Sequence, residues 1–315
     1  MKTIKVKAPA TIANLVCGFD VLGLCTEVPF DIMEVRLRDD REVIIKSADG
    51  YPLPTDPALN TAGAPLLEMI KKLDKDIGFD VIIQKNIKPG SGIGSSAASA
   101  AGAVVAANFL LNQPFTKDEL VRLAMFGEKV ASGVKHADNV APCIYGGITL
   151  VRSIFPLDII PITAPPLYVS IVHPQIEVRT ADARQILRKE VLLKNAVKQW
   201  GNIAGLVAGL MKEDYGLISR SLEDVIIEPV RSVLIPGFVD VKKKCLQVGA
   251  LGGGISGSGP SIFMLSADES TATLVAQEME DVYQQLGIPA HIYKSNINCQ
   301  GVTLFDETND NHAVL

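Results

Sequence analysis

The stretch Pro89 to Ser99, PGSGIGSSAAS, places three glycines and four serines directly ahead of an apolar, alanine-rich run. Glycines let the backbone turn tightly and come close to an anion. A helix starting near Ser95 would aim unpaired N–H groups and the positive end of its dipole at the same spot. This chemistry suits phosphate, with the hydroxyls of Ser95 and Ser96 available to it, one of them through a magnesium ion riding on the phosphates. The competing reading is an ordinary loop with serine helix caps. A Walker A loop is excluded, because Gly90 to Ser96 supplies no lysine at the required position. Gly252, Gly254 and Gly257 fit the bare dinucleotide spacing, but they are expected to follow a helix and lead into a strand, the reverse of the context such a fingerprint needs.

Two further groups carry chemistry. On a helix spanning Lys117 to Ala131, Leu120, Ala124, Glu128 and Ala131 fall on one stripe, so the Glu128 carboxylate points inward. A buried carboxylate needs a cation or several donors; magnesium shared with a nucleotide and a salt bridge to an internal lysine or arginine both satisfy it. Next, His136, Asp138 and Asn139 cluster between that helix and a strand, either as a site or as a hydrogen-bonded loop anchor. No H-x-x-x-H or H-E-x-x-H pattern supports a catalytic zinc.

The elements that must position these groups are strands first, then helices. TIKVKA, FDIMEVRLR and REVIIKS alternate as half-buried antiparallel strands do, and FDVIIQKNI makes a strand just before the glycine-rich loop. Helices are expected over Ser95–Leu111 and Lys117–Ala131, the second opened by a Thr116/Glu119 capping box. GGITLVR reads as a strand, and the proline-rich passage from Phe155 to Pro166 marks a domain junction, giving domains 1–160 and 161–315. Beyond it come a strand (LYVSIVHP), a helix over Ala181–Lys212, another helix (VDVKKKCLQVGA), a strand (GPSIFMLSA), a helix (ESTATLVAQEMEDVYQQLG) and a strand (AHIYKSNIN). That alternation suggests a split βαβ, ferredoxin-like second domain in an α+β protein.

With 315 residues and 48% apolar composition, the chain can bury a sizeable core in two domains. A formal charge of −5 and no basic run longer than Lys242 to Lys244 argue against nucleic acid. Five scattered cysteines without a C-x-x-C pair read as reduced thiols in a cytoplasmic protein. Neither a secretory leader nor a membrane span is expected, since the apolar run at Ala97–Leu111 is too short and too rich in small residues.

Three segments carry a family resemblance. KAPATIANLVCGFDVLGL (Lys7 to Leu24), PGSGIGSSAAS (Pro89 to Ser99) and GALGGGISGSGPSIF (Gly249 to Phe263) resemble, in order, the three motifs of the GHMP kinases, named for galactokinase, homoserine kinase, mevalonate kinase and phosphomevalonate kinase. The passage EKVASGVKHADNVAP, with RTADAR (Arg179 to Arg184) and EPVRSVLIPGF (Glu228 to Phe238), is most similar to the branch acting on homoserine. The resemblance implies a first domain like domain 2 of ribosomal protein S5 and a ferredoxin-like second domain, with the site in the cleft between them. It implies transfer of phosphate from ATP to L-homoserine in threonine biosynthesis, with Mg2+, and a homodimer.

Residue by residue, it assigns Pro89, Gly90, Ser91, Gly92, Ile93, Gly94, Ser95, Ser96 and Ser99 to the ATP phosphates, Asn60 to the base, and Ser96 with Glu128 to magnesium. Asn14, Asp20, His136, Asn139, Arg184 and Arg231 match positions around homoserine. Asn139 is expected to orient the hydroxyl, with Asp138 as a supporting carboxylate and Thr180 as a further polar group in the active site. An arginine clamp on the amino-acid carboxylate suits these types. Departures stand in the first motif, where NLVCGFD lacks a glycine-proline pair, and in the third, with its glycine triplet. Rival expectations are a GHMP kinase for another small alcohol such as mevalonate, or a non-enzymatic RNA-binding use of the S5-like fold.

Overall fold

The computed structural model describes residues 2–178 and 180–306. The strands are β1 (Thr3–Ala13), β2 (Leu22–Arg38), β3 (Val43–Gly50), β4 (Gly78–Lys85), β5 (Ile148–Ile154), β6 (Leu157–Ile162), β7 (Tyr168–Pro174), β8 (Gly252–Ile255), β9 (Ile262–Ser266), β10 (Ala290–Asn296) and β11 (Thr303–Leu304). The helices are α1 (Gly63–Leu73), α2 (Ser95–Leu110), α3 (Lys117–Ser132), α4 (Val140–Tyr145), α5 (Thr180–Gln185), α6 (Leu193–Met211), α7 (Tyr215–Ser221), α8 (Glu228–Arg231), α9 (Phe238–Gln247) and α10 (Glu269–Leu286).

Two sheets result, as an α+β chain of two parts requires. The first runs β11-β1-β2-β4-β3, with β5 on β2 and β6 on β5. The second runs β10-β7-β9-β8, the 4-1-3-2 order of a split βαβ unit, antiparallel throughout. Among the described residues no helix is long and apolar enough to cross a membrane. α2 is instead buried nearly all round between sheet and helices, and its small residues permit this: a Cβ on Gly102 would already stand 3.0 Å from that of Ala8 in β1.

α3 follows its sequence pattern, with both halves of the Thr116/Glu119 capping box made. The Pro-rich passage holds β6, hydrogen-bonded to β5, so the first sheet runs to Ile162, inside the passage read as the domain junction. Elsewhere the fold departs from expectation. The helix expected over Ala181–Lys212 is two, α5 and α6; nothing in the residues between them explains the break. The glycine triplet, expected to follow a helix and lead into a strand, is itself strand β8. Its lack of side chains is a packing requirement, since a Cβ on Gly253 would meet the Phe263 carbonyl at 2.0 Å and one on Gly252 would meet Leu222 at 2.7 Å.

Candidate active site

β4 passes the chain to a loop that ends on α2. Gly90, Gly92 and Gly94 have φ of 78°, 83° and 69°, a region open to glycine at little cost. The loop alternates in direction. Pro89, Gly90, Gly92, Gly94, Ser95, Ser96 and Ser99 line one cavity of about 440 Å3. Ser91 and Ile93 lie between them and turn into the fold, at 0% and 1% exposure. The third motif braces the loop from behind: Ser261 Oγ donates to the Ser91 carbonyl at 2.7 Å and Ser256 Oγ to that of Gly92 at 2.8 Å. A Cβ on Gly92 would stand 2.5 Å from the Gly259 carbonyl, so that glycine is needed for the close approach.

Of the serines at the α2 terminus, Ser95 donates its hydroxyl to the Ile87 carbonyl at 2.8 Å. Ser99 accepts from Lys85 Nζ at 3.0 Å. Ser96 bonds Glu128, the buried carboxylate that α3 aims into the cavity. Burial pushes the Glu128 carboxyl up to about 7 against the pull of Ser96 and Lys85, and its Oε1 has no hydrogen-bond partner. Among the described residues no group of three or more His, Cys, Asp or Glu could hold a metal by itself. The donor set present, one orphaned carboxylate oxygen beside a hydroxyl at a helix N-terminus, fits a cation that takes its remaining ligands from phosphates and water.

At the other end of the cavity the first motif forms a strained turn. Asn14, Leu15 and Val16 have φ of 76°, 39° and 65°, and Asp20 has 60°; a β-branched residue such as Val16 rarely tolerates this region. The Asn14 side chain holds the turn, donating from Nδ2 to the Gly257 carbonyl at 2.8 Å and accepting at Oδ1 from the Asp20 N–H at 3.0 Å. Asp20 is thereby placed against Arg184, whose Nη2 donates to its two oxygens at 2.9 and 3.1 Å. Arg184 Nη2 also lies 3.4 Å from His136 Nδ1, which assigns the imidazole proton to Nε2, a buried atom without a partner. Burial first, and the Arg184 charge second, lower the His136 pKa.

Arg231 is 3% exposed. Nε donates to the Ala183 carbonyl at 2.9 Å and Nη1 to that of Gly257 at 3.1 Å, and burial brings its pKa down to about 10. Both guanidinium carbons stand over the Phe19 ring, 5.8 Å away for Arg184 and 5.0 Å for Arg231. Asp138 and Asn139 lie between the two ends. Burial, with the charges of Asp20 and Glu128, raises Asp138 to about 7. Asn139 opens α4 without capping it by its side chain, and its Oδ1 accepts from Thr11 Oγ1 at 2.8 Å. The structure therefore gathers Asn14, Asp20, Glu128, His136, Asp138, Asn139, Arg184 and Arg231 around one cavity. Thr180 is the first residue of α5, but its side chain lies outside the described residues.

Asn60 also lines the cavity, beside the apolar Pro52, Leu53, Pro54 and Leu59. Both ends of its amide are engaged, Nδ2 donating to the Pro54 carbonyl at 2.6 Å and Oδ1 accepting from the Ala62 N–H at 2.8 Å, so it shapes this wall. Sequence reasoning missed Lys85. It is 1% exposed, ion-paired with fully buried Asp31, and donates to the Ser95 carbonyl at 2.7 Å beneath the glycine-rich loop. The signal was available: Phe79, Val81, Ile83 and Lys85 share the inward face of β4 at period two.

Residues 62–147 match the family model for the GHMP kinases N-terminal domain and residues 206–285 that for the GHMP kinases C-terminal domain. A homoserine kinase of Chloroherpeton thalassium is 49% identical over 299 residues, 91% of this chain and 94% of that protein. The crystal structure of homoserine kinase from Cytophaga hutchinsonii superposes with a TM-score of 0.93 at 48% identity, covering 97% of this chain and 98% of the other. The L. major mevalonate kinase structure, at 16% identity and a TM-score of 0.70 over 93% of this chain and 95% of that one, shares the fold alone. Family models over both halves of the chain, a relative at 49% identity and a solved structure at 48% agree, and the chain belongs to the homoserine kinase family of the GHMP kinases.

Proposed function

We propose that the protein transfers the γ-phosphoryl group of ATP to the side-chain hydroxyl of L-homoserine, giving ADP and O-phospho-L-homoserine. The observation that carries this reading is the division of the cavity: a phosphate loop with Ser96 and Glu128 at one end, Asp20, His136, Arg184 and Arg231 at the other, and Asn139 between. Homoserine is a zwitterion. Arg184 and Arg231 take its carboxylate, with His136 Nε2 as a further donor, and Asp20 is released from Arg184 to meet the ammonium. Binding so exchanges an internal ion pair for two that cross the substrate.

The loop amides and the α2 terminus hold the ATP phosphates, and the apolar wall from Pro52 to Leu59 faces the base. Ser96 and Glu128 would hold Mg2+, which when bound offsets charge on the phosphates. Asn139 aligns the attacking hydroxyl, Asp138 supports it electrostatically, and Thr180 adds a polar group four residues before Arg184. Phosphoryl transfer asks mainly for such alignment and charge neutralisation. A homodimer is supported by the apolar stripe that α6 leaves exposed, Leu193, Val197, Trp200 and Met211. Reduced cysteines support a cytoplasmic setting.

A coupled ADP-release assay over a panel of small alcohols tests the reading. Homoserine is expected to be turned over with kcat/KM at least about a hundredfold above that for mevalonate. Turnover of mevalonate alone would overturn the substrate, and salt-sensitive RNA binding without ADP formation would overturn the enzyme.

A further inference from the structure

The first motif contains a residue to which none of these roles falls. Thr11 lies in β1 and is fully buried. Its hydroxyl donates to Asn139 Oδ1 at 2.8 Å, and its backbone N–H donates to the Ile93 carbonyl in the phosphate loop at 3.2 Å. At the next loop position, a Cβ on Gly94 would lie 2.0 Å from Thr11 Oγ1 and 3.2 Å from Asn139 Oδ1. Residues from three distant segments therefore meet at one hydroxyl, and Gly94 leaves the space it occupies.

A primary amide accepts at one end and donates at the other. With Oδ1 held by Thr11, and no side-chain bond from Asn139 to its own helix, the NH2 group is the end left for a ligand. We propose that Thr11 is a positioning residue that locks the Asn139 amide with its NH2 toward the reacting hydroxyl. Asn139 then meets the substrate oxygen with a donor. Because Thr11 also holds the loop through Ile93, the same residue ties the position of the phosphates to that of the hydroxyl. This inference rests on the homoserine kinase reading and on the role of Asn139 in it.

The test is steady-state kinetics, with homoserine and ATP varied, on Thr11→Val, which keeps the shape and deletes the hydroxyl, and Thr11→Ser, which keeps the hydroxyl. Thr11→Val is expected to lower kcat about tenfold with both KM values within about threefold, and Thr11→Ser to stay within about threefold of the parent. In an Asn139→Ala background, Thr11→Val should have no further effect on kcat, because the group it orients is gone. An unchanged kcat for Thr11→Val, or the same tenfold loss in the Asn139→Ala background, overturns the proposal; the second result would mark a merely structural role. If Thr11→Val does not fold, Thr11→Ala set against Thr11→Ser decides: loss with Ala restored by Ser supports the proposal, and equal activity overturns it. The parent enzyme is the control for the functional reading, since its failure to phosphorylate homoserine would sink that reading separately.

Discussion

Replacing Glu128 with Gln should make the unliganded protein more stable at alkaline pH while disabling the enzyme. The carboxylate is buried, one oxygen has no partner, and its pKa stands at about 7 against an ordinary 4.5. The sign follows from proton binding. Between these two values the folded state holds a proton on Glu128 that the unfolded chain has released, so stability falls as pH rises through the window. The contribution is intact below about 4.5 and fully lost above about 7. Each pKa unit carries about 1.4 kcal/mol, which puts the loss at about 3 kcal/mol by pH 8.5.

Glu128→Gln keeps the shape and the Ser96 contact but cannot ionise. At pH 8.5, without nucleotide and in a chelator, it should therefore exceed the parent by about 3 kcal/mol, read as a higher urea midpoint or a melting temperature raised by on the order of 5 °C. At about pH 4, below both values, the two should coincide. Part of the gain runs through Asp138, whose own pKa is raised by the Glu128 charge. Added magnesium and ATP should close the gap by stabilising the parent, and kcat/KM for ATP should fall at least about a hundredfold in the variant. A Glu128→Gln protein that is no more stable than the parent at pH 8.5, or whose advantage does not change with pH, would refute the account of this carboxylate as an uncompensated charge awaiting a cation.

Arg184→Lys keeps the charge but loses the planar fork, so it should raise the homoserine KM about ten- to a hundredfold with kcat within a few-fold; a loss confined to kcat would count against the carboxylate clamp. Lys85→Met strands the Asp31 carboxylate in the core and should cost about 3–5 kcal/mol in urea unfolding, with most of this regained in Lys85→Met/Asp31→Asn, which retains an acceptor for the Asn86 and Ile87 N–H groups. Failure of the second substitution to restore stability would mean that Lys85 acts through its bonds to Ser95 and Ser99 instead.

What could be read in the sequence was whatever is decided within a few residues. The α3 stripe and its capping box depend on spacings of three and four, and both appear as expected. The glycine-rich loop ahead of α2 was legible as a unit, because glycines at alternate positions before a helix allow few conformations. Which of its residues face a ligand is a longer-range matter. Ser91 and Ile93 turn inward because Ser261, a hundred and seventy positions on, pulls the Ser91 carbonyl toward the third motif. β8 was illegible for the same reason: nothing local marks three glycines as a strand until Leu222 and the Phe263 carbonyl are known to crowd them.

The substrate end shows where the limit lies. Asn14 was identified by its motif as a substrate group, yet both ends of its amide are engaged, with Gly257 on one side and Asp20 on the other. The Gly257 carbonyl also takes Arg231 Nη1. One backbone oxygen of the third motif thus fixes both a strained turn of the first motif and the arginine of α8. The family resemblance assigned these residues to the substrate, but the pocket's geometry depends on a carbonyl, which no residue type reports. A substitution that shifts the 256–259 turn, such as Gly257→Ala at φ 57° with the Gly92 carbonyl 3.0 Å from the added Cβ, should accordingly disturb homoserine and ATP binding together, although Gly257 has no side chain to offer either ligand.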